Sequence, residues 1–590
     1  MKKEKMTGWY DPGQLARTGV QVAISTIFGR HADRRQLQGL AKEGEPPAKP
    51  FYDAPPAAGP DGEFWFDYIA DVGDGFNSTY TMACCITEPE LALNGEQTHQ
   101  GQLLIFGGDE VYPLASQENY QQRLIEPYAA AFSKPRAGQE TPEVYAVPGN
   151  HDWYDSLAEF GFNFMEDHFG RIRQFCGWKS NQERSYFAIK LPAGWWLFGT
   201  DMQLGSALDN GQMKYFQNVV GQMGPNDRII LCNAEPHWIT ASLYPDDPEY
   251  NNRNMGFFEG HILKHKVAVH IAGDRHYYRR HEEVTDTNGK PIPMDSTSKI
   301  QKITAGGGGA FLHPTHNETG VEKVGRRHKY ELRKSFPEPS ESWSLGWKNF
   351  LFPFLNPKFG IVTAIVYVLT AWAFIAPIGQ YGLSDFTTAL TVVIHRTVEQ
   401  PIAFLWMALI FGGFVLFTDT HSKLYRWIGG PLHGLAHLAG LFFVSWGVSR
   451  WIDPTPSHSP LNWTWWQVVI GGLAIALGGY IVGSLIMGIY LFVSLNIFKR
   501  HHNEAFSSIK VEDYKNFVRF KIEPNGDLMI YPVGVRKVIK KWRDGSKGER
   551  PVMPVEVKEE NKPFLIEGPI RYVKPVAPSA VAPPEQPDGE

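Results

Sequence analysis

Apolar positions along this chain follow two different rhythms. From Phe64 to about Leu312 they come in short runs, which predict strands at 64–70, 103–106, 144–147, 186–190, 195–200, 228–233, 267–271 and 302–304. Stretches with helical spacing lie between them, at 117–131, 156–168, 212–223 and 255–264. Short apolar strands alternating with helices predict an α/β domain whose strands are buried beneath helices. Past residue 358 the runs lengthen to four apolar spans, about 359–380, 402–418, 428–449 and 466–497, almost free of charge. About 20 apolar residues cross a bilayer, so 359–497 is read as an all-α, four-span membrane domain; the competing reading is a buried helical core. Trp451, Trp463, Trp465 and Trp466 crowd one boundary, as an interfacial aromatic belt does.

The remaining segments are polar or punctuated. In the N-terminal segment, 1–62, an amphipathic helix around Leu15 to Ile27 is expected to pack on the next domain or lie on a membrane. Its Pro-, Ala- and Gly-rich end, 43–62, reads as a linker. The α/β domain takes 63–320. Arg326-Arg327-His328-Lys329 marks a basic connector, 321–358. In 498–573, alternating residues on either side of Pro524-Asn525-Gly526-Asp527 predict a β-hairpin in a small C-terminal region. The Pro- and Ala-rich tail, 574–590, reads as disordered.

Charge sets an orientation. Lys348, Lys358, Lys423, Arg426, Lys499 and Arg500 flank the spans on one side, against Arg396 and Arg450 on the other. That asymmetry puts the N-terminal domain and the C-terminal tail in the cytoplasm. No apolar core closely follows the basic start Met1 to Lys5, so no cleavable signal is read. Cys84, Cys85, Cys176 and Cys232 have no framework spacing and are expected to be thiols. A net charge of -5 lacks the basic excess of a nucleic-acid binder.

Candidate chemistry lies where predicted strands end. Asp71-Val72-Gly73-Asp74, Gly107-Gly108-Asp109-Glu110-Val111-Tyr112, Gly149-Asn150-His151-Asp152, Asn233-Ala234-Glu235-Pro236-His237 and Gly273-Asp274-Arg275-His276 each follow an apolar run. Alone, stretches such as those at Asp71 and Asn150 also read as capped turns. Gathered at one sheet edge, they offer mixed oxygen and imidazole ligands, suited to a pair of hard-to-borderline ions rather than to a thiolate site. Asp74 competes with Asp71 as a ligand.

In order and kind, these stretches (DxG, GDxxY, GNHD, a His after a strand, GDxH) resemble the calcineurin-like metallophosphoesterase superfamily over about residues 64–320. Gly73 stands where many members carry His. The purple acid phosphatase branch compensates with a Tyr, and Tyr112 holds that place. The glycine run from Ala305 to Ala310 is also similar to the family's. The resemblance implies a two-sheet sandwich flanked by helices, here fused to the membrane domain. It implies two metal ions, divalent or mixed-valence (manganese, iron, zinc or magnesium). Asp71, Asp109, Tyr112 and His276 would hold one. Asp109, Asn150, His237 and Asp274 would hold the other, although the family has His at the last position. His151 would stand by the leaving oxygen, held by Asp152, while a metal-activated hydroxide attacks. Arg275 and His313 are candidate substrate contacts.

The expected function is a membrane-anchored, metal-dependent phosphoesterase acting on a phosphorylated substrate, lipid-linked or membrane-proximal, among membrane lipids and without nucleic acid. The alternative is a non-catalytic sensor or scaffold that binds a phosphorylated ligand. His433 and His437, four apart on the third span, suggest interhelical hydrogen bonding or, less simply, a ligand pair.

Overall fold

The computed structural model describes residues 1–24, 62–132, 141–165, 173–202, 208–244, 253–318, 320–378, 385–418, 422–454 and 462–575. The expected linker, except Gly62, and the expected disordered tail, except its first two residues, lie outside them. The chain forms two units. Met1–Thr7, Val20–Glu338 and Glu512–Glu590 make one; Gly8–Gly19 and Pro339–Val511 make the other.

The first unit is built on two sheets. In chain order their strands are β1 (Phe64–Ile69), β2 (Leu103–Phe106), β3 (Glu143–Ala146), β4 (Arg173–Phe175), β5 (Trp178–Ser180), β6 (Phe187–Leu191), β7 (Trp195–Gly199), β8 (Arg228–Cys232), β9 (Val267–Ala272), β10 (Tyr278–Glu283), β11 (Gln301–Ala305), β12 (Lys323–Val324), β13 (Tyr330–Phe336), β14 (Lys515–Ile522), β15 (Leu528–Val535), β16 (Phe564–Leu565) and β17 (Ile570–Tyr572). The first sheet runs β16-β15-β14-β1-β2-β3-β5-β4, with β17 also on β15; the second runs β12-β13-β10-β11-β9-β8-β7-β6.

Alternation explains how the sheets pack. Phe64, Phe66 and Tyr68 of β1 face a core shared with Ile230 of β8, Ile271 of β9 and Ile303 of β11. Trp65 and Ile69 face the other way, onto Tyr80, Met82 and Ala83 of the helix Phe76–Ile86. Phe216 and Val219 of the helix Asn210–Val220 cover β7 and β8 through Trp196, Phe198 and Leu231. Both faces of each sheet are therefore buried, which is why their central strands read as continuous apolar runs.

Two expectations change. The C-terminal hairpin does not form a small region of its own: β14 pairs antiparallel with β1 and completes the first sheet. Asp67 of β1 and Arg519 of β14 are register partners, and the guanidinium donates to both carboxylate oxygens at 2.7 and 3.0 Å. The connector is not a plain linker either. It contains β13, which pairs antiparallel with β10. Three of the four open positions of β13, Glu331, Arg333 and Lys334, are charged, which hid its strand character.

The second unit is helical. Lys423–Ile452 and Trp465–Asn496 are each long and apolar enough to cross a membrane. Pro339–Leu355 with Pro357–Ala373, and Phe386–Glu399 with Pro401–Phe417, pass the same test as pairs bent by 63° and 99°. Two to four helical spans are thus available. Pro401 explains the sharper bend: Gln400 before it is extended, as a pre-proline residue prefers. His433 and His437 are buried; His433 stacks on Tyr490 at 3.8 Å between ring centres, and Tyr367 Oη lies 3.5 Å from His437 Nδ1.

Candidate metal centre

β1, β2 and β3 are parallel, so their C-terminal ends meet at one sheet edge. Asp71 follows β1, Asp109 follows β2 and Asn150 follows β3; Asp274 and His276 follow β9 of the second sheet. Asp71, Asp109 and Asp274 all have positive φ, 58, 53 and 62°. Non-glycine residues rarely adopt that conformation, and it clusters at functional sites. Two glycines let the backbone come close. A Cβ on Gly149 would lie 2.0 Å from Asp109 Oδ1, and one on Gly306 would lie 2.4 Å from Asp71 Oδ2.

Four side chains converge. Tyr112 Oη is 2.9 Å from Asp71 Oδ1, 3.2 Å from Asp109 Oδ2 and 3.0 Å from His276 Nε2, and His276 Nε2 is 3.4 Å from Asp71 Oδ1. His276 donates its Nδ1 proton to the Phe311 carbonyl at 2.7 Å, which leaves Nε2 as the ligand nitrogen. Atoms on a shell of roughly 2.1 Å bonds stand about 3 Å apart, so this donor set fits one ion. The backbone N–H of Asp274 donates to Asp71 Oδ2 at 3.0 Å, and that of His151 to Asp109 Oδ1 at 2.9 Å. Asn150 Nδ2 donates to Tyr154 Oη at 3.0 Å.

The charges favour a cation. Burial, then Asp274, holds the Asp71 carboxyl well above its ordinary range; burial, then Asp71 and Asp152, does the same to Asp109. A cation relieves that repulsion. Burial lowers His151 to about 4 and, with Lys515, lowers His276 to about 4, so both imidazoles are neutral near pH 7. Burial lowers Lys515 itself to about 8; its Nζ donates to the Ala310 carbonyl at 2.5 Å.

Two residues, His237 and Asp152, stand elsewhere than expected, and the partners of Asp74, Arg275 and His313 are also set. His237 is not with Asp109: its Nε2 lies 3.3 Å from Glu259 and its Nδ1 3.3 Å from Asn233. It opens the helix His237–Leu243, beyond the turn that follows β8. Asp152 does not hold His151. It accepts from Gly149 N at 2.9 Å, Glu110 N at 3.3 Å and Tyr120 Oη at 2.7 Å, fixing the turn, while His151 Nδ1 donates to the Pro113 carbonyl at 2.7 Å. Asp74 accepts from Thr7 N at 2.7 Å and lies 3.8 Å from Arg123. Arg275 lies 3.5 Å from Asp274 and 3.9 Å from Glu318. His313 stacks on His276 with ring centres 3.9 Å apart.

Two neighbours of the site escaped sequence reasoning. Lys515 lies too far along the chain to be associated with Asp71. Glu110, which burial and Asp152 push above its ordinary range, lies inside a candidate stretch but was given no role.

Asp201, just past β7, accepts from Ser185 Oγ at 2.6 Å and Trp153 Nε1 at 3.0 Å, yet burial raises it to about 7. A carboxyl raised by folding binds its proton more tightly when folded, so stability falls as pH climbs from about 4 to 7. The loss approaches roughly 4 kcal/mol. Asp201→Asn is therefore expected to melt progressively higher than the parent between pH 5 and 8. An identical difference at both pH values would refute that origin.

No family model matches the chain. Purple acid phosphatase 5 of Arabidopsis thaliana is 24% identical over 275 residues, covering 43% of this chain and 55% of its own length. A purple acid phosphatase of Glycine max is 24% identical over 281 residues, covering 44% and 54%. The chain thus spans about half the length of these curated relatives. Among solved structures, purple acid phosphatase PPD1 from yellow lupin (Lupinus luteus) seeds matches with a TM-score of 0.29 and 13% identity, over 44% of this chain and 46% of that one. The sequence likenesses support a calcineurin-like metallophosphoesterase domain in this chain.

Proposed function

We propose that this chain is a membrane-anchored, metal-dependent phosphoesterase with its α/β unit and C-terminal tail in the cytoplasm. The observation that carries the reading is the convergence of Asp71, Asp109, Tyr112 and His276 at one sheet edge. Those four would hold one ion, and Asp109, Asn150 and Asp274 a second. Bound there, two cations supply Lewis acidity, activating water and neutralising charge on the phosphoryl oxygens.

The chain's own groups do the rest. Phe311 fixes the tautomer of His276, and the Gly149 turn holds Asp109 through the His151 amide. His151 meets substrate through Nε2, because Pro113 engages Nδ1. The apolar helices supply the anchor, which favours a lipid-linked or membrane-proximal phosphate ester.

Purified protein, supplied in turn with manganese, iron, zinc and magnesium, is expected to hydrolyse an aryl phosphate monoester or diester. His151→Gln is expected to lower kcat by about 10²-fold with metal content unchanged. Inactivity with every metal, alongside retained binding of a phosphorylated ligand, would favour a sensor. One observation motivates that second reading: His237 faces Glu259, so the second position lacks an imidazole.

A further inference from the structure

A second cluster of ligand-type side chains lies on the outer face of the second sheet. β9 directs Val269 and Ile271 into the core between the sheets, so His270 points to the opposite face. There it meets His237 and Glu259, the latter in the π-helical turn Phe258–Ile262. One ligand atom from each residue lies within 4.8 Å of the others. Glu259 Oε1 stands 3.3 Å from His237 Nε2 and 3.8 Å from His270 Nδ1. A tetrahedral ion with bonds of 2.0–2.2 Å needs ligand atoms about 3.3–3.6 Å apart. His270 Nδ1 is buried and has no hydrogen-bond partner among the described residues, a state that costs stability unless something satisfies it.

We propose that His237, Glu259 and His270 form a binding site for one divalent transition-metal ion of the zinc type, with a fourth position open to solvent or a ligand. Two imidazoles and a carboxylate are the donor set of three-ligand zinc sites. Asn233 supports the ligand nitrogen. Its side chain lies 3.3 Å from His237 Nδ1 and 2.5 Å from Thr200 Oγ1. Turning the amide over presents its oxygen to an Nδ1–H and its nitrogen to Thr200, leaving His237 Nε2 unprotonated for the ion. Lys302 of β11 is the register partner of His270. Its Nζ lies over the Trp238 and Tyr330 rings, 5.2 and 4.8 Å from their centres. A neighbouring ammonium weakens cation binding without occupying the ligand positions.

The test uses full-length protein in lipid nanodiscs, stripped by chelation and titrated with Co²⁺. An Asp109→Asn background removes a carboxylate that would serve the other proposed centre. In that background one Co²⁺ equivalent is expected, with the strong visible bands of a four-coordinate ion. His270→Gln is expected to abolish the bands, and Lys302→Gln to tighten binding about tenfold. Glu259→Gln provides a second ligand variant should His270→Gln not fold: the rise in melting temperature on adding Co²⁺ is expected to disappear. Absence of a four-coordinate Co²⁺ signal in the Asp109→Asn background, or its persistence in folded His270→Gln or Glu259→Gln, overturns the proposal. Because the readout is metal binding, an inactive phosphoesterase leaves it standing.

Discussion

Asp109→Asn is expected to lower kcat/KM for an aryl phosphate by about 10³-fold, roughly 4 kcal/mol of transition-state stabilisation. The size follows from how many roles meet in one carboxylate. Oδ2 lies 3.2 Å from Tyr112 Oη, among the first ion's donors; Oδ1 accepts the His151 amide and holds the turn that carries Asn150. An amide keeps one acceptor oxygen but loses the charge that two cations would share. The same substitution is expected to raise the melting temperature of chelated protein. Burial and the neighbouring Asp71 and Asp152 make the Asp109 charge unfavourable without a counter-ion, and asparagine removes it. Opposite signs for activity and metal-free stability distinguish a ligand from a structural carboxylate. Activity within tenfold of the parent would remove Asp109 from the centre.

The features legible in the sequence were local ones. A buried parallel strand is a continuous apolar run, and a polar turn follows within a few residues, so the strand ends carrying Asp71, Asp109, Asn150 and Asp274 could be located without coordinates. His276 was found because it shares the Gly273 turn. His237 was misplaced for an equally local reason: histidine is the conspicuous ligand type, and nothing beside it in the sequence announces that its ring meets Glu259. Tertiary partners left no local trace. Nothing in Gly149-Asn150-His151-Asp152 announces that the His151 ring turns to Pro113 while Asp152 turns to Tyr120. The Asn525-Gly526 turn announced a hairpin but not its partner, because pairing between β14 and β1 spans over 400 residues of sequence and is decided by packing, which a turn signal does not encode.

That pairing governs what can be removed. Deleting 512–590 is expected to leave 1–511 without a folded α/β unit, and the metal centre is expected to be lost with it. Phe517, Val518, Phe520, Ile522, Leu528, Ile530, Val533 and Val535 of β14 and β15 are each at most 1% exposed. At about 1.5–3 kcal/mol for each buried side chain, these eight contribute roughly 12–24 kcal/mol. A domain's net stability is only about 5–15 kcal/mol. Deletion would also leave Asp67 inside the sheet without Arg519, an unpaired buried charge costing about 3–5 kcal/mol more. Lys515, which donates to the Ala310 carbonyl at the end of the glycine run, would go as well. Residues 63–320, the segment that the motifs alone would select, are therefore expected to be insoluble or protease-sensitive when produced alone. Joining 62–338 to 512–575 through a flexible linker is expected to restore a cooperative melt and Co²⁺ binding. A stable, metal-binding 63–320 fragment would show that the first sheet does not need its C-terminal strands.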